Sequence, residues 1–110
     1  MSITGDLIRG HTDTIILAQL IKEDSYGYQI NKAILDKTEG RYELKEATLY
    51  TAFRRLESAG LISSYWGDEN TGARRRYYRI TPAGRNAFTQ MKNEWEEAKL
   101  TIEKLVEVQE

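Results

Sequence analysis

The chain has 110 residues, of which 40% are hydrophobic and 10% aromatic, enough for one packed core and too much for a disordered polypeptide. The absence of cysteine excludes disulfides and thiolate metal sites and fits a reducing cytoplasm, and no apolar run or leader pattern predicts a membrane span or secretion. The net charge of −1 is a cancellation: residues 1–40 carry −2, residues 41–85 carry +4 and residues 86–110 carry −3, so a basic middle suited to a polyanion lies between acidic flanks.

Leu7, Ile8, Leu17, Leu20 and Ile21 set a helical rhythm that predicts a first helix from about Thr4 to Lys22, with Gly10 a tolerated weak point. Asp24 and Ser25 offer side-chain oxygens to the free amides of a second helix. This helix runs from about Ser25 to Thr38, places Tyr26, Ile30, Ala33 and Ile34 on one face, and stops near Gly40. Residues 41–45 read as a connector in which Tyr42 and Leu44 pair briefly with a later ribbon.

A third helix starts near Glu46 and is closed by Gly60. Leu49, Ala52, Phe53 and Leu56 share its inner face, while Thr48, Thr51, Arg55 and Ser58 share the outer one, flanked by Tyr50 and Arg54. That outer face holds hydroxyls, a phenol and guanidinium groups, and no acid before Glu57. A solvated face ordinarily mixes both charge signs, so this one reads as a surface for DNA.

Leu61 to Trp66 is strand-like, Gly67 to Gly72 is a turn with Gly and Asn available for positive φ, and Ala73 to Ile80 returns. Alternation puts Arg74, Arg76, Tyr78 and Ile80 on one side of the return strand and Arg75, Tyr77 and Arg79 on the other. Tyr78 and Ile80 are expected to anchor the core. Three adjacent arginines are expected to present cations to solvent or to phosphates near the hairpin tip.

Thr81-Pro82 starts a fourth helix: a capping hydroxyl, then proline at the first helical position. Gly84, Phe88, Met91, Trp95, Ala98, Ile102 and Leu105 follow in alternating steps of four and three, the rhythm of a coiled-coil seam. A helix of about 27 residues is roughly 40 Å long, and a domain of about 80 residues is only about 25–30 Å across. The second half must project, and its apolar stripe calls for a second copy of the chain related by a two-fold axis. The expected architecture is α+β, mainly α: a winged helix-turn-helix over residues 1–80 and a dimerisation helix over residues 81–110.

Catalysis has no foothold. His11 is the single histidine, no His-x-x-x-His spacing or phosphate-binding glycine loop occurs, and no catalytic residue, metal or cofactor is expected.

Several runs together resemble PadR-type transcriptional regulators: Ser25-Tyr-Gly-Tyr28, Ala47-Thr-Leu-Tyr50, Arg55-Leu-Glu-x-x-Gly-Leu-Ile62, and Gly72-Ala-Arg-Arg-Arg-Tyr-Tyr-Arg-Ile-Thr-Pro-Ala-Gly84. The single helix after the ribbon is similar to the small subfamily. Ser63-Ser-Tyr-Trp-Gly-Asp-Glu69 and Trp95 resemble its multidrug-sensing branch. The resemblance implies a homodimeric repressor whose third helices enter successive major grooves of an inverted repeat, about 34–36 Å apart. It puts Thr48, Tyr50 and Thr51 at bases or phosphates, Tyr26, Tyr28 and Lys45 along the phosphate track, and Arg74 and Arg75 at wing contacts; Arg54 joins them from the helix flank. It also puts Trp95 in a slot between subunits for a planar aromatic ligand, with Leu7, Ile8, Thr14 and Lys99 beside it and the N-terminal helices sharing the dimer contact. Lys92 and Lys99 favour a neutral or anionic ligand. The alternative is a winged-helix module that binds a protein instead of DNA.

Overall fold

A computed structural model describes residues 5–67 and 74–109. The hairpin turn expected over 67–72 lies, after Gly67, outside these residues, as does the expected helix start at Thr4. The elements are α1 (Gly5–Ile8), a tighter 3-10 turn (Arg9–His11), α2 (Thr12–Lys22), α3 (Gly27–Lys37), α4 (Glu46–Ser58), β1 (Ile62–Trp66), β2 (Arg76–Ile80) and α5 (Pro82–Val106). This is the expected mainly helical winged helix-turn-helix.

The first helix is not continuous. It leaves regular α geometry at Arg9–His11 and restarts at Thr12, whose hydroxyl donates to the Arg9 carbonyl at 3.1 Å. Gly10 has no side chain to hold the regular turn, so a one-turn 3-10 segment costs little there.

Helices α2, α3 and α4 pack around Phe53, Ile16, Leu17, Leu20, Ile30 and Leu56, all fully buried. Burying each such side chain contributes about 1.5–3 kcal/mol. The ribbon seals the core: Phe53 and Tyr78 stack with ring centroids 3.9 Å apart. Helix ends follow backbone chemistry. Glu39 and Gly40 both take positive φ after α3, and the Gly40 amide donates to the Leu35 carbonyl at 2.7 Å. Gly60 does the same after α4, and the Leu61 amide reaches the Leu56 carbonyl at 3.0 Å.

β1 and β2 are antiparallel, with Ile62 opposite Ile80, Ser64 opposite Tyr78 and Trp66 opposite Arg76. The other edge of β2 is met by Ser25, not by the connector: Tyr78 donates to the Ser25 carbonyl at 2.7 Å and the Ser25 amide donates back at 3.2 Å. Tyr42 and Leu44, expected to pair with the ribbon, do something else. Asn31 clamps the Leu44 backbone from both sides, at 2.6 and 2.8 Å, and the Leu44 side chain is buried in the core. The Tyr42 amide donates to the Thr38 hydroxyl at 3.0 Å. Ser25 also departs from its expected role as a cap. Its hydroxyl donates to Gln29 Oε1 at 2.6 Å, and the α3 cap position is Tyr26, with no side-chain capping bond.

α5 starts as expected: the Thr81 hydroxyl accepts from the Gly84 amide at 3.0 Å, with Pro82 at the first position. Gly84 is buried so closely that a Cβ there would lie 2.0 Å from the Leu61 carbonyl oxygen. Phe88 and Met91 pack against the core. Every residue from 92 to 106 is then exposed, including Ile102 at 55% and Leu105 at 77%. The radius of gyration of 16.0 Å and extents of 63 × 33 × 21 Å record this projecting rod, against about 13 Å for a compact domain of this length.

Candidate nucleic-acid interface and effector groove

α4 turns Leu49, Ala52, Phe53 and Leu56 inward and leaves Thr48, Tyr50, Thr51, Arg54, Arg55 and Ser58 exposed. Arg54 donates to the Thr51 hydroxyl at 3.3 Å. The Tyr50 ring sits edge-on to Phe53, centroids 5.4 Å apart. Its hydroxyl lies over the first turn of α3, where a Cβ at Gly27 would come within 2.6 Å of the Tyr50 oxygen. Glycine at 27 is therefore what lets the phenol reach this place.

Around it, Tyr26, Tyr28 and Tyr50 from the helices meet Trp66, Arg74, Arg75 and Arg76 from the ribbon about one hollow of about 600 Å³. Five of the nine residues expected at DNA thus converge from three separate segments. Thr48 and Thr51 line a second hollow of about 330 Å³, with Arg9, Thr12 and Arg55. Lys45 is exposed at the start of α4, and neither Lys45 nor Arg54 lines either hollow.

The ribbon arginines are held in place rather than loose. Arg74 and Arg76 lie 5.4 and 5.8 Å from the Trp66 ring centre, and Arg75 lies 4.9 Å from that of Tyr26. Such contacts hold a cation over a ring face. The run 74–79, free of acids in sequence, meets acids from other elements in space. Arg76 lies 3.6 Å from Glu57 and donates to Ser64 at 2.8 Å. Arg79 lies 3.1 Å from Asp24, which also accepts from the Tyr65 hydroxyl at 2.6 Å. That hydrogen bond to a carboxylate holds the Tyr65 phenol above its ordinary pKa.

Arg55 is exposed on the outer face as expected and also pairs with Asp13 of α2. This pairing raises its affinity for its proton. Trp66 and Arg9 line these hollows without having been singled out from the sequence. Strand register could have found Trp66, which sits opposite Arg76; nothing local flags Arg9.

A third hollow, of about 320 Å³, lies between the start of α2 and α5, lined by Gly10, His11, Asp13, Thr14, Met91, Glu94, Trp95 and Ala98. Trp95 is 40% exposed and meets the His11 ring edge-on at 4.9 Å. Of the residues expected at the ligand slot, Thr14 and Trp95 line this groove. Leu7, Ile8 and Lys99 do not, and Lys99 pairs with Glu96 at 3.1 Å. His11, Asp13 and Glu94 had no sequence signal, because only the packing of α5 on α2 brings them together. Among the described residues no His/Cys/Asp/Glu group could hold a metal ion, and no helix is long and apolar enough to cross a membrane.

Comparison with known proteins places this geometry. The model of the transcriptional regulator PadR-like family matches residues 16–90. An uncharacterized protein of Lysinibacillus sphaericus is 42% identical over 105 residues, which cover 96% of each chain. The solved structure of a transcriptional regulator from Clostridium thermocellum is 53% identical, covers 96% of this chain and 99% of its own, and superposes with a TM-score of 0.87. A PadR family transcription regulator from Clostridium difficile is 36% identical over 88% of this chain and 99% of its own, with a TM-score of 0.75. The chain belongs to the PadR-like family of transcriptional regulators, DNA-binding winged-helix proteins and not enzymes.

Proposed function

We propose that the protein is a homodimeric repressor that grips an inverted-repeat operator and is released from it by a planar aromatic ligand held between the subunits. The observation that carries the DNA reading is the convergence of three tyrosines and three arginines with Trp66 about one hollow, beside the hydroxyl-bearing face of α4. Phenol hydroxyls and guanidinium groups suit backbone phosphates, while Thr48 and Thr51 have the reach and chemistry for base edges. Tyr26, Tyr28, Lys45, Arg54, Arg74 and Arg75 supply positioning contacts.

The dimer reading is supported by the bare apolar stripe of α5, with α1 and α2 closing the contact beside it. A ligand against Trp95 would change the angle between the two heads, so that their reading helices no longer fit half-sites one turn apart. Lys99 is engaged by Glu96, while Asp13 and Glu94 stand on the groove wall. The Asp13 charge is balanced by Arg55, so the groove suits a neutral planar ligand.

The test combines sedimentation with DNA binding. The chain is expected to be a dimer at micromolar concentration and to enrich inverted repeats from a random duplex pool. The logarithm of its affinity should fall against the logarithm of salt with a slope of about −0.9 per phosphate contacted. A monomer, or no binding to duplex at low salt, would overturn the proposal and favour a protein-binding module.

A further inference from the structure

The effector groove and the hollow beside the reading helix have different linings, yet one ion pair belongs to both. Asp13, in the first turn of α2, lines the groove with His11, Thr14, Glu94 and Trp95. Arg55, in the last turn of α4, lines the hollow with Thr48 and Thr51. The two side chains pair through both carboxylate oxygens: Arg55 Nε donates to Oδ2 at 3.3 Å and a terminal guanidinium nitrogen donates to Oδ1.

We propose, resting on the reading of the two surfaces given above, that Asp13 is a positioning residue for DNA recognition. It holds Arg55 beside Thr48 and Thr51, and as a wall of the groove it exposes that pairing to whatever sits against Trp95. The anion of the pair faces one site and its cation faces the other.

The chemistry makes the pair exchangeable. A guanidinium bonds a carboxylate or a phosphate through the same kind of N–H fork, and the one edge that holds Asp13 cannot be offered to both. Arg55 is half exposed and Asp13 about a third exposed, so the pair adds little to stability and its rearrangement costs little. A duplex phosphate near Thr51 competes with Asp13 for Arg55. A ligand stacked on Trp95 alters the surroundings of Asp13, which also include His11 and Glu94. Each site therefore bears on the same ion pair, and its exchange between Asp13 and phosphate would couple them.

The test uses the full-length dimer, an inverted-repeat duplex enriched from a random pool, and riboflavin, a neutral planar fluorophore that is quenched when stacked on tryptophan. The riboflavin Kd is measured without DNA and with saturating duplex. In the wild type the two values are expected to differ by about fivefold or more, in either direction. The ratio should collapse to within about twofold of unity in Asp13→Asn and in Arg55→Gln, and recover in Asp13→Glu, while Glu96→Gln keeps the wild-type ratio. Arg55→Gln carries the test should Asp13→Asn fail to fold. An Asp13→Asn or Arg55→Gln dimer that binds both partners with the wild-type ratio overturns the inference and leaves the effector reading standing. A wild-type ratio of one, or no riboflavin binding, overturns the effector reading and the inference with it.

Discussion

The head and the tail of this molecule obey the same hydrophobic pattern and meet opposite fates. In the head, Ile16, Leu20, Phe53 and Leu56 find partners within the chain and are fully buried. In the outer half of α5, Ile102 and Leu105 continue the seam of Phe88 and Met91 but touch nothing that covers them. The head's core is closed within the chain, with Phe88 and Met91 of α5 packed against it. The tail is a helix whose apolar face is exposed, and in the proposed dimer a second copy would cover it. In the proposed dimer this division would make recognition local to each head and spacing a property of the pair.

That contrast can be broken from either side. Phe53→Ala removes the ring stacked on Tyr78 and is expected to cost the head about 3–5 kcal/mol, read by chemical denaturation. Ile102→Glu with Leu105→Glu should leave the head folded by circular dichroism yet give a monomer in sedimentation, with affinity for an inverted repeat lower by about 100-fold or more, since coupled half-sites lose their linkage. A dimer that survives these charges would move the interface elsewhere.

Gly84→Ala strikes the junction. Its methyl would meet the Leu61 carbonyl, so α5 must shift on the head at a cost of about 1–3 kcal/mol. The same variant should weaken binding to the preferred half-site spacing more than to a single half-site. Within the head, Thr51→Ala should alter base preference by about 1–3 kcal/mol at one position, whereas Arg74→Ala should weaken binding to all duplexes alike and reduce the salt slope by about one.

The smallest expected effect concerns Tyr65. Its folded pKa is raised, so whatever its bond to Asp24 contributes is complete below about pH 10 and is lost as pH rises through the folded value. Tyr65→Phe should remove that alkaline loss near the wing and leave the response of the tail unchanged.

Much of this was legible because it is periodic or local. The inner face of α4, the Thr81-Pro82 start, the stops at Gly40 and Gly60, and the seam of α5 all follow from spacing and backbone chemistry. The grouping of Tyr26, Tyr28, Tyr50, Arg74 and Arg75 was reached through motifs together with family likeness. Apart from the break at Gly10 and the missing Ser25 cap, the misreadings were long-range. Ser25, separated from Tyr78 by most of the head, takes the ribbon edge that Tyr42 and Leu44 were expected to use. Arg55 finds Asp13 from 42 positions away, and Arg79 finds Asp24 from 55. No local pattern encodes such meetings.

Residue order alone determined the elements, the buried faces and the cationic character of the ribbon, because those depend on helical and strand periods and on side-chain type. Only the tertiary structure decided that Arg55, Arg76 and Arg79 pair with acids, that Gly27 makes room for the Tyr50 hydroxyl, and that His11 meets Trp95 across a groove walled by two acids. The reason is that charge pairing and cavity shape depend on distances between elements, and the packing of the core sets those distances.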